Sequence, residues 1–169
     1  MSKKYLGCAV LTISDTRSAG DDTSGNLLAE SLAHAGHHCC KREIVKDDVY
    51  QIRRVLSDWI ADDDIQVILT TGGTGFSHRD CTPEALLPLL DRQIDGFGEL
   101  FRYISFQEIG TSTIQSRALA GIANNTLIFC LPGSTSACRT AWDRILREQL
   151  DSSHKPCNFA SHFDTRAKS

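Results

Sequence analysis

The chain has 169 residues, of which 41% are hydrophobic and 23% are charged, and its formal net charge at pH 7 is −3. This size predicts one compact domain over residues 1–169, with residues 151–169 as a C-terminal tail, and the mixed charges lack the basic stripe that would favour nucleic acid as a partner. No apolar segment approaches the roughly 20 residues that span a bilayer, and residues 1–4 do not begin a signal peptide, so we expect a cytoplasmic protein without membrane contact.

Apolar runs alternate with helical patterns along the chain. Strands are expected at residues 5–13, 40–45, 65–71 and 126–131, and helices at residues 26–35 and 49–61. This alternation is typical of βαβ units, so we predict an α/β fold, a three-layer α/β/α arrangement with a mostly parallel central sheet. A further apolar helical stretch at residues 97–106 is interpreted as core or as a subunit interface.

The first predicted strand leads into a polar loop that precedes the first helix. The loop contains Ser14 and, further along, Asp22, Ser24 and Gly25. Acidic and hydroxyl side chains at such a turn have two interpretations, because they either cap the helix that follows or face a ligand.

The turn after the third predicted strand carries the most informative motif of the chain. Its residues are small or hydroxylated: Thr71, Gly72, Gly73, Thr74 and Gly75. Thr82 is expected as the N-cap of the next helix, with Pro83 at the first helical position. Glycines let the backbone approach a phosphate closely, and the N–H groups at a helix N-terminus attract negative charge. The motif therefore predicts a phosphate-binding turn.

The fourth predicted strand ends in a similar turn, formed by Pro132, Gly133 and Ser134. In an open parallel sheet the carboxyl ends of the strands lie along one edge, and ligands bind in the crevice outside them. Three polar turns at one edge favour a pocket there. Ser134 also has a simpler interpretation as the cap of the last helix.

Two aspartates are placed to meet at this edge of the sheet. Asp47 follows the second predicted strand, and Asp80 follows the glycine turn. A pair of carboxylates can hold Mg²⁺ together with substrate phosphates. Capping of the helix that begins near Val49 is an equally open interpretation of Asp47. The motifs of P-loop NTPases, dinucleotide-binding dehydrogenases and α/β-hydrolases do not occur in the sequence.

These motifs resemble the MoaB/MogA group of molybdenum cofactor biosynthesis proteins, whose molybdopterin-binding domain also occurs in gephyrin and plant homologues. The resemblance covers nearly the whole chain. It rests on DTSG at 22–25, TGGTG at 71–75, D-x-TPE at 80–84, GFGE at 96–99, SR-x-x-AG at 116–121 and LPGS at 131–134.

The resemblance implies a molybdopterin-binding-domain fold and a function in molybdenum cofactor biosynthesis. Molybdopterin would be the substrate, and its terminal phosphate would be adenylylated with ATP as co-substrate and Mg²⁺ as the metal. Asp47 and Asp80 would be the catalytic residues and the metal ligands. The implied substrate-binding residues are Ser14, Asp22, Ser24, Gly25, Thr71, Gly72, Gly73, Thr74, Gly75, Ser116, Arg117, Pro132, Gly133 and Ser134.

Two differences from the family pattern keep other interpretations open. Adenylylating relatives commonly have proline where this chain has Lys46 and Thr135. A non-catalytic molybdopterin-binding carrier or scaffold is the alternative, and a magnesium-dependent nucleotidyl transferase of another pterin is a third; the two retained aspartates favour the enzyme. The resemblance also implies a homotrimer or homohexamer, with the apolar surface between Phe97 and Ile109 as candidate interface, and a contact with the metal-inserting protein of the pathway.

Overall fold

The structure, a computed structural model, describes residues 3–163. Its strands are β1 (Gly7–Ile13), β2 (His38–Val45), β3 (Val67–Thr71), β4 (Arg92–Gln93), β5 (Leu119–Ala123) and β6 (Thr126–Leu131). Its main helices are α1 (Thr23–His34), α2 (Val49–Ala61), α3 (Thr82–Leu86), α4 (Asp95–Ile109) and α5 (Thr135–Ala141). A π-helical turn (Trp142–Leu146) continues α5 into α6 (Arg147–Gln149), and 3-10 turns lie at Leu87–Leu89, Gly110–Gln115 and Ala160–His162.

The six strands form one sheet in the order β2-β1-β3-β6-β5-β4. The first four of these are parallel to one another, whereas β5 and β4 run antiparallel to their neighbours. The prediction of a mostly parallel sheet is therefore confirmed. The chain passes from β1 to β2 on one side and then returns to β3 on the other, so strand order reverses between β1 and β3. That reversal opens a crevice at the carboxyl ends of these two strands.

Helices cover both faces of the sheet, as the alternation of side chains along β1 illustrates. Cys8 and Val10 are buried in a cluster with residues of α1, α4 and α5. Ala9 and Leu11 point the opposite way and are buried with residues of α2 and α3. Successive strand residues face opposite sides, so a strand with both faces covered is apolar throughout. The predicted three-layer α/β/α architecture is confirmed.

Helix α2 has the bounds that the sequence predicted. Ile52, Leu56 and Trp59 recur at helical spacing and are all buried against the sheet. Asp48 is the N-cap, and its carboxylate accepts a hydrogen bond from the backbone N–H of Tyr50 at 3.0 Å. Strong periodicity and an unambiguous cap thus fix this helix locally.

The hairpin that joins β5 to β6 was not predicted. Its two-residue turn is formed by Asn124 and Asn125, whose φ angles are 44° and 63°. Positive φ at both central residues is the requirement of the tight hairpin turns that match strand twist, and asparagine tolerates it better than most residues. The pair Asn124-Asn125 between two apolar segments was the available signal for this hairpin.

Helix α4 is only partly covered by the rest of the chain. Phe97, Phe101 and Ile104 are buried, and the Phe97 ring packs edge-on against Phe129 of β6 with centroids 5.0 Å apart. Other apolar side chains of the helix are exposed: Leu100, Tyr103, Phe106 and Ile109. An exposed apolar surface of this kind is compatible with subunit contact, and the subunit interface between Phe97 and Ile109 stays a prediction.

The described part of the predicted C-terminal tail packs on the α1–α4–α5 side of the core. Ala160 and Phe163 are buried in that cluster. Buried Asn158 donates a hydrogen bond to the carbonyl of His154 at 2.9 Å and accepts one from the N–H of Ser161 at 2.7 Å. Residues 164–169 of this segment lie outside the described residues. Within residues 3–163, no helix has both the length and the apolar composition needed to cross a bilayer.

Candidate functional site

The glycine turn lies directly against the end of β1. Gly72 has φ of 107°, and a Cβ atom at this position would come within 2.1 Å of the carbonyl oxygen of Ile13. Gly73 has φ of 66°, and a Cβ there would lie 2.3 Å from Thr82 Oγ1 and 3.0 Å from Asp47 Oδ1. Both positions require glycine, because another residue would be strained and would fill the crevice between β1 and β3.

Thr82 does not cap helix α3 as predicted. The helix begins at Thr82 itself, so that Cys81 is the N-cap, and Cys81 makes no capping hydrogen bond. The Thr82 hydroxyl instead donates to the carbonyl oxygen of Gly72 at 2.8 Å. The prediction of the cap was wrong because the hydroxyl is needed to hold the glycine turn closed.

Asp47 lies two residues beyond the end of β2, and its interpretation as a helix cap is not supported. Asp48 is the residue that caps α2. The Asp47 side chain borders the crevice, and burial, followed by the nearby charges of Asp15 and Asp80, raises its pKa. A carboxylate in this environment gains from a nearby cation, because the cation offsets both the lost hydration and the like charges.

Asp80 borders the crevice next to Gly75 of the glycine turn. Its Oδ2 accepts a hydrogen bond from the backbone N–H of Ser77 at 2.8 Å, which fixes the carboxylate within its own loop. The same oxygen lies 2.9 Å from where a Cβ on Gly75 would stand. Asp47 and Asp80 border the same cavity, so the structure brings the predicted carboxylate pair together.

This first cavity has a volume of about 330 Å³. It contains predicted residues from all three turns: Ser14, Asp47, Thr71, Gly72, Gly73, Asp80, Gly133 and Ser134. A second cavity of about 380 Å³ lies beside it and adds the predicted residues Thr74, Gly75, Ser116 and Pro132. The two cavities share Gly73, Asp80, Gly133 and Ser134, so they form one continuous cleft.

The second cavity is more apolar than the first. Phe101 and Ile109 of α4 form part of its wall, together with Ala137 of α5. The hydroxyl oxygen of Ser116 is buried there, and it has no hydrogen-bond partner within the described residues. A buried hydroxyl without a partner costs free energy unless another group, such as a ligand, satisfies it.

Three predicted binding residues support the cleft without bordering it. Asp22 is 1% exposed and accepts hydrogen bonds from the hydroxyl of Thr12 at 2.8 Å and the N–H of Gly25 at 3.0 Å. Ser24 is fully buried and donates to the carbonyl of Gly133 at 2.8 Å. Asp22 therefore fixes the start of α1, and Ser24, in its first turn, attaches the helix to the last turn. Substrate contact by these residues stays a prediction.

Arg117 also borders neither cavity and lies behind the glycine turn. Its guanidinium donates to the carbonyl of Gly75 at 2.7 and 3.0 Å and to that of Asp80 at 3.2 Å. It also pairs with the carboxylate of Glu84. The geometry gives Arg117 a structural task, which is to donate hydrogen bonds to the carbonyl oxygens of Gly75 and Asp80 and so to join the two ends of the loop between them.

Ser134 caps a helix and also borders the cleft, as its two interpretations from the sequence allowed. Its hydroxyl accepts a hydrogen bond from the N–H of Ala137 at 3.2 Å, so it caps α5. It also borders both cavities. Beside it, the hydroxyl of Thr71 donates to the carbonyl of Pro132 at 2.8 Å and ties the glycine turn to the last turn.

Arg17 is a site residue that the sequence interpretation missed. It borders the first cavity, and its guanidinium donates to Ser24 Oγ at 3.0 Å and to the carbonyl of Gly133 at 3.2 Å. Its Nη1 also lies 3.7 Å from the carboxylate of Asp22, and it is a positively charged residue on the border of the cavity that Asp47 and Asp80 share. Its position in a polar loop next to Ser14 was the available signal, but no motif spacing distinguishes it from an ordinary surface arginine.

A magnesium site at Asp47 and Asp80 fits the chemistry of the donor set. Within residues 3–163, no group of three or more His, Cys, Asp or Glu side chains is arranged to hold a metal. Mg²⁺ commonly binds through one or two carboxylates, with substrate phosphates and water completing its shell. Two carboxylates beside a phosphate-sized turn match that pattern, and the assignment of the metal stays a prediction.

Comparison with known proteins identifies the family. A family model described as a probable molybdopterin binding domain matches residues 9–152. Molybdenum cofactor biosynthesis protein B of Escherichia coli K12 is 59% identical over 154 residues, which are 91% of each chain. A crystal structure of a molybdenum cofactor biosynthesis protein B has a TM-score of 0.86 at 44% identity, covering 89% of this chain and 94% of that chain.

A further similar structure is that of a protein described as synthesizing a tungsten cofactor. The tungsten cofactor synthesizing protein MoaB of Pyrococcus furiosus has a TM-score of 0.78 at 38% identity, covering 86% of this chain and 92% of that chain. The fold and the resemblance inferred from the motifs are both confirmed. The chain belongs to the molybdopterin-binding domain family of MoaB/MogA proteins, and its role is in molybdenum cofactor biosynthesis.

Proposed function

We propose that this protein adenylylates molybdopterin with magnesium-ATP. One observation carries the proposal: Asp47 and Asp80 border a single cavity next to the glycine turn, while Asp48 performs the capping that would otherwise explain Asp47. A carrier needs to bind its ligand but has no use for two carboxylates next to a phosphate, since these repel it. Carboxylates at that place become favourable when a metal ion lies between them and the phosphates.

In the proposed reaction an oxygen of the terminal phosphate of molybdopterin attacks the α-phosphorus of ATP. The bond between the α-phosphorus and the oxygen bridging to the β-phosphate breaks, and pyrophosphate leaves with that electron pair. Bound Mg²⁺ would supply charge neutralisation for the phosphate oxygens. The protein contributes position and electrostatics more than covalent chemistry.

Different residues of the cleft would bind the phosphate, the metal and the ring system. The backbone of Gly72 and Gly73 lets a phosphate come close, and the guanidinium of Arg17 offsets its charge. Asp47 and Asp80 would hold the metal and orient the two reactants. The more apolar second cavity suits a flat ring system, and Ser116 is one of the polar residues on its border.

The test is to incubate purified protein with molybdopterin, ATP and magnesium and to follow adenylylated molybdopterin and pyrophosphate. Asp80→Asn is the matched control, because it removes charge at nearly constant shape and keeps an oxygen for the N–H of Ser77. We expect product with the unaltered protein and severely reduced product with the variant. Tight molybdopterin binding without product in the unaltered protein would reject the enzyme and establish the carrier alternative.

A further inference from the structure

A carboxylate outside both cavities connects the loops that hold Asp47 and Asp80. Asp15, in the loop after β1, accepts from Arg79 Nε at 2.8 Å and from Arg79 Nη2 at 3.0 Å. Its Oδ1 also accepts from the backbone N–H of Asp47 at 3.2 Å. The two-pronged contact of guanidinium with carboxylate restricts both distance and orientation, so it is more specific than a single ionic contact.

The fold places these groups together although they are far apart in sequence. Strands β1 and β2 are paired without a register shift from Ala9 to Ile13, and Ile13 lies opposite Val45, so Asp15 and Asp47 stand at equivalent positions beyond the two strand ends. Arg79 comes from the loop of the glycine turn, 64 residues from Asp15, and directly precedes Asp80. The side chain of Asp15 therefore contacts the backbone of Asp47, one proposed metal ligand. It also contacts the side chain of Arg79, which precedes Asp80, the other proposed ligand, in the sequence.

We propose that Asp15 and Arg79 form a positioning pair that sets the separation of Asp47 and Asp80. Neither residue borders either cavity, so the pair acts through the two aspartates and not on the substrate. This inference rests on the proposed function, because it assigns the pair to the metal-binding geometry of the same site. Groups that orient metal ligands commonly affect metal affinity or activity by about 10- to 100-fold when they are removed.

The experiment compares Asp15→Ala, Arg79→Gln and the double variant with the unaltered protein. We expect kcat for adenylylation to fall about 10-fold or more in each single variant, while KM for molybdopterin changes by less than about twofold. The double variant should be no slower than the slower single variant, because the two residues act as one unit. Asp15→Asn should retain more activity than Asp15→Ala, because its amide oxygen can still accept the N–H of Asp47.

Arg54→Gln is the matched control. It breaks the Arg54–Glu43 pair, whose N–O distance is 3.0 Å and whose side chains are 55% and 38% exposed. The corresponding exposures of Arg79 and Asp15 are 51% and 34%. Exposed pairs contribute little to stability, so all these variants should melt close to the unaltered protein. Only the Asp15–Arg79 variants should lose activity.

Binding of Mn²⁺ in the presence of ATP, followed by electron paramagnetic resonance, gives a readout that does not need turnover. We expect affinity to fall about 10-fold in Asp15→Ala and Arg79→Gln and to be unchanged in Arg54→Gln. If the unaltered protein makes no product, the proposed function fails. The Mn²⁺ affinities of the variants then decide whether Asp15 and Arg79 form a positioning pair. If product forms normally in Asp15→Ala and its Mn²⁺ affinity is unchanged, the pair is rejected and the proposed function stands.

Three other results would also overturn the proposal that Asp15 and Arg79 form a positioning pair. A rise of KM in Arg79→Gln but not in Asp15→Ala would show that Arg79 contacts the substrate directly. Additive losses in the double variant would show that Asp15 and Arg79 act independently. A protein that neither forms product nor binds Mn²⁺ would reject both proposals together.

Discussion

Two loops of this protein carry the same pair of residues at the same place before a helix, yet they use the pair differently. Asp21 and Asp22 precede α1, and Asp47 and Asp48 precede α2. In both loops the second aspartate is the N-cap. The difference lies in the first aspartate, since Asp21 accepts a hydrogen bond from the hydroxyl of Ser18 at the surface, whereas Asp47 borders the cleft.

The comparison teaches that a sequence motif does not fix which acid is functional. The four carboxylates share chemistry and spacing, and only the tertiary environment distinguishes them. Asp22 is buried and hydrogen-bonded, Asp48 is an exposed cap, and Asp21 is exposed. Only Asp47 is placed beside both a glycine turn and another carboxylate. All but the last of the predictions below change matched members of the two loops.

The largest expected effect is on activity. Asp47→Asn should reduce adenylylation by roughly 10²–10³-fold, the scale on which removal of one electrostatic group acts on a charged transition state. Asp21→Asn should leave the rate unchanged. The measurement is kcat/KM for molybdopterin with each variant. Equal rates for the two variants would show that the position of Asp47 beside the cleft has no catalytic meaning.

The next effect is on stability, and it concerns the two capping aspartates. Asp22→Ala should lower the free energy of unfolding by about 3 kcal/mol, because it removes a buried carboxylate that lies 3.4 Å from Arg42 and leaves the hydroxyl of Thr12 without its acceptor. Asp48→Ala removes an exposed cap and should cost about 1 kcal/mol. Urea unfolding of the two variants measures the difference, and a larger loss in Asp48→Ala would contradict it.

A smaller effect, of opposite sign in the two loops, concerns pH. Burial and the charges of Asp15 and Asp80 raise the pKa of Asp47 in the folded protein. Ionisation of Asp47 therefore lowers the free energy of unfolding at pH values above that raised pKa. This destabilisation disappears as the pH falls toward the ordinary value of 3.8. Hydrogen bonds from Ser18 lower the pKa of Asp21, whose ionisation therefore supports folding above 3.8 and loses this effect at lower pH.

Unfolding measured from about pH 7 to about pH 3.5 tests this contrast. Asp47→Asn should be more stable than the unaltered protein at neutral pH, and Asp21→Asn should be less stable. Both differences should shrink as the solution becomes acidic. A destabilising effect of Asp47→Asn at neutral pH would mean that the carboxylate is already satisfied within the protein.

The smallest expected effect comes from Thr135, where the family resemblance leads us to expect proline in adenylylating relatives. Its hydroxyl contacts Thr23 Oγ1 at 2.8 Å and Ser24 Oγ at 3.2 Å, so it links the first loop to the last turn. It is also the first residue of α5, where proline is well tolerated. Thr135→Pro should change the free energy of unfolding by less than about 0.5 kcal/mol. A large loss of stability would show that the hydrogen bonds of the Thr135 hydroxyl outweigh the tolerance of proline at the first position of a helix.

Sequence interpretation succeeded where the determining interactions are local. Helix α2 was bounded correctly because its cap and its apolar spacing lie within one segment. The edge of the sheet that carries the three turns was also predicted, since parallel strands bring their carboxyl ends together. The meeting of Asp47 and Asp80 followed from the same rule.

The remaining features depend on contacts between distant segments. Arg17 and the Asp15–Arg79 pair were missed because hydrogen bonds and ionic contacts over long sequence distances leave no periodic pattern. Thr82 was assigned as a cap because its neighbour Pro83 suggested a helix start, and only the position of Gly72 reveals the hydroxyl's real partner. The same residue types serve as caps and as ligands, and burial decides between the two roles.

The walls of the cleft come from segments that are far apart in the sequence, and this has a practical consequence for finding its ligands. Contacts such as Ser24 with Gly133 and Thr71 with Pro132 exist only in the folded chain. A ligand that fills the cleft therefore binds the native state alone and raises the melting temperature, with a stabilisation of about 2.7 kcal/mol at a concentration 100 times its Kd. Thermal melting across a panel of pterins and nucleotides can thus rank ligands of the cleft without any knowledge of the reaction.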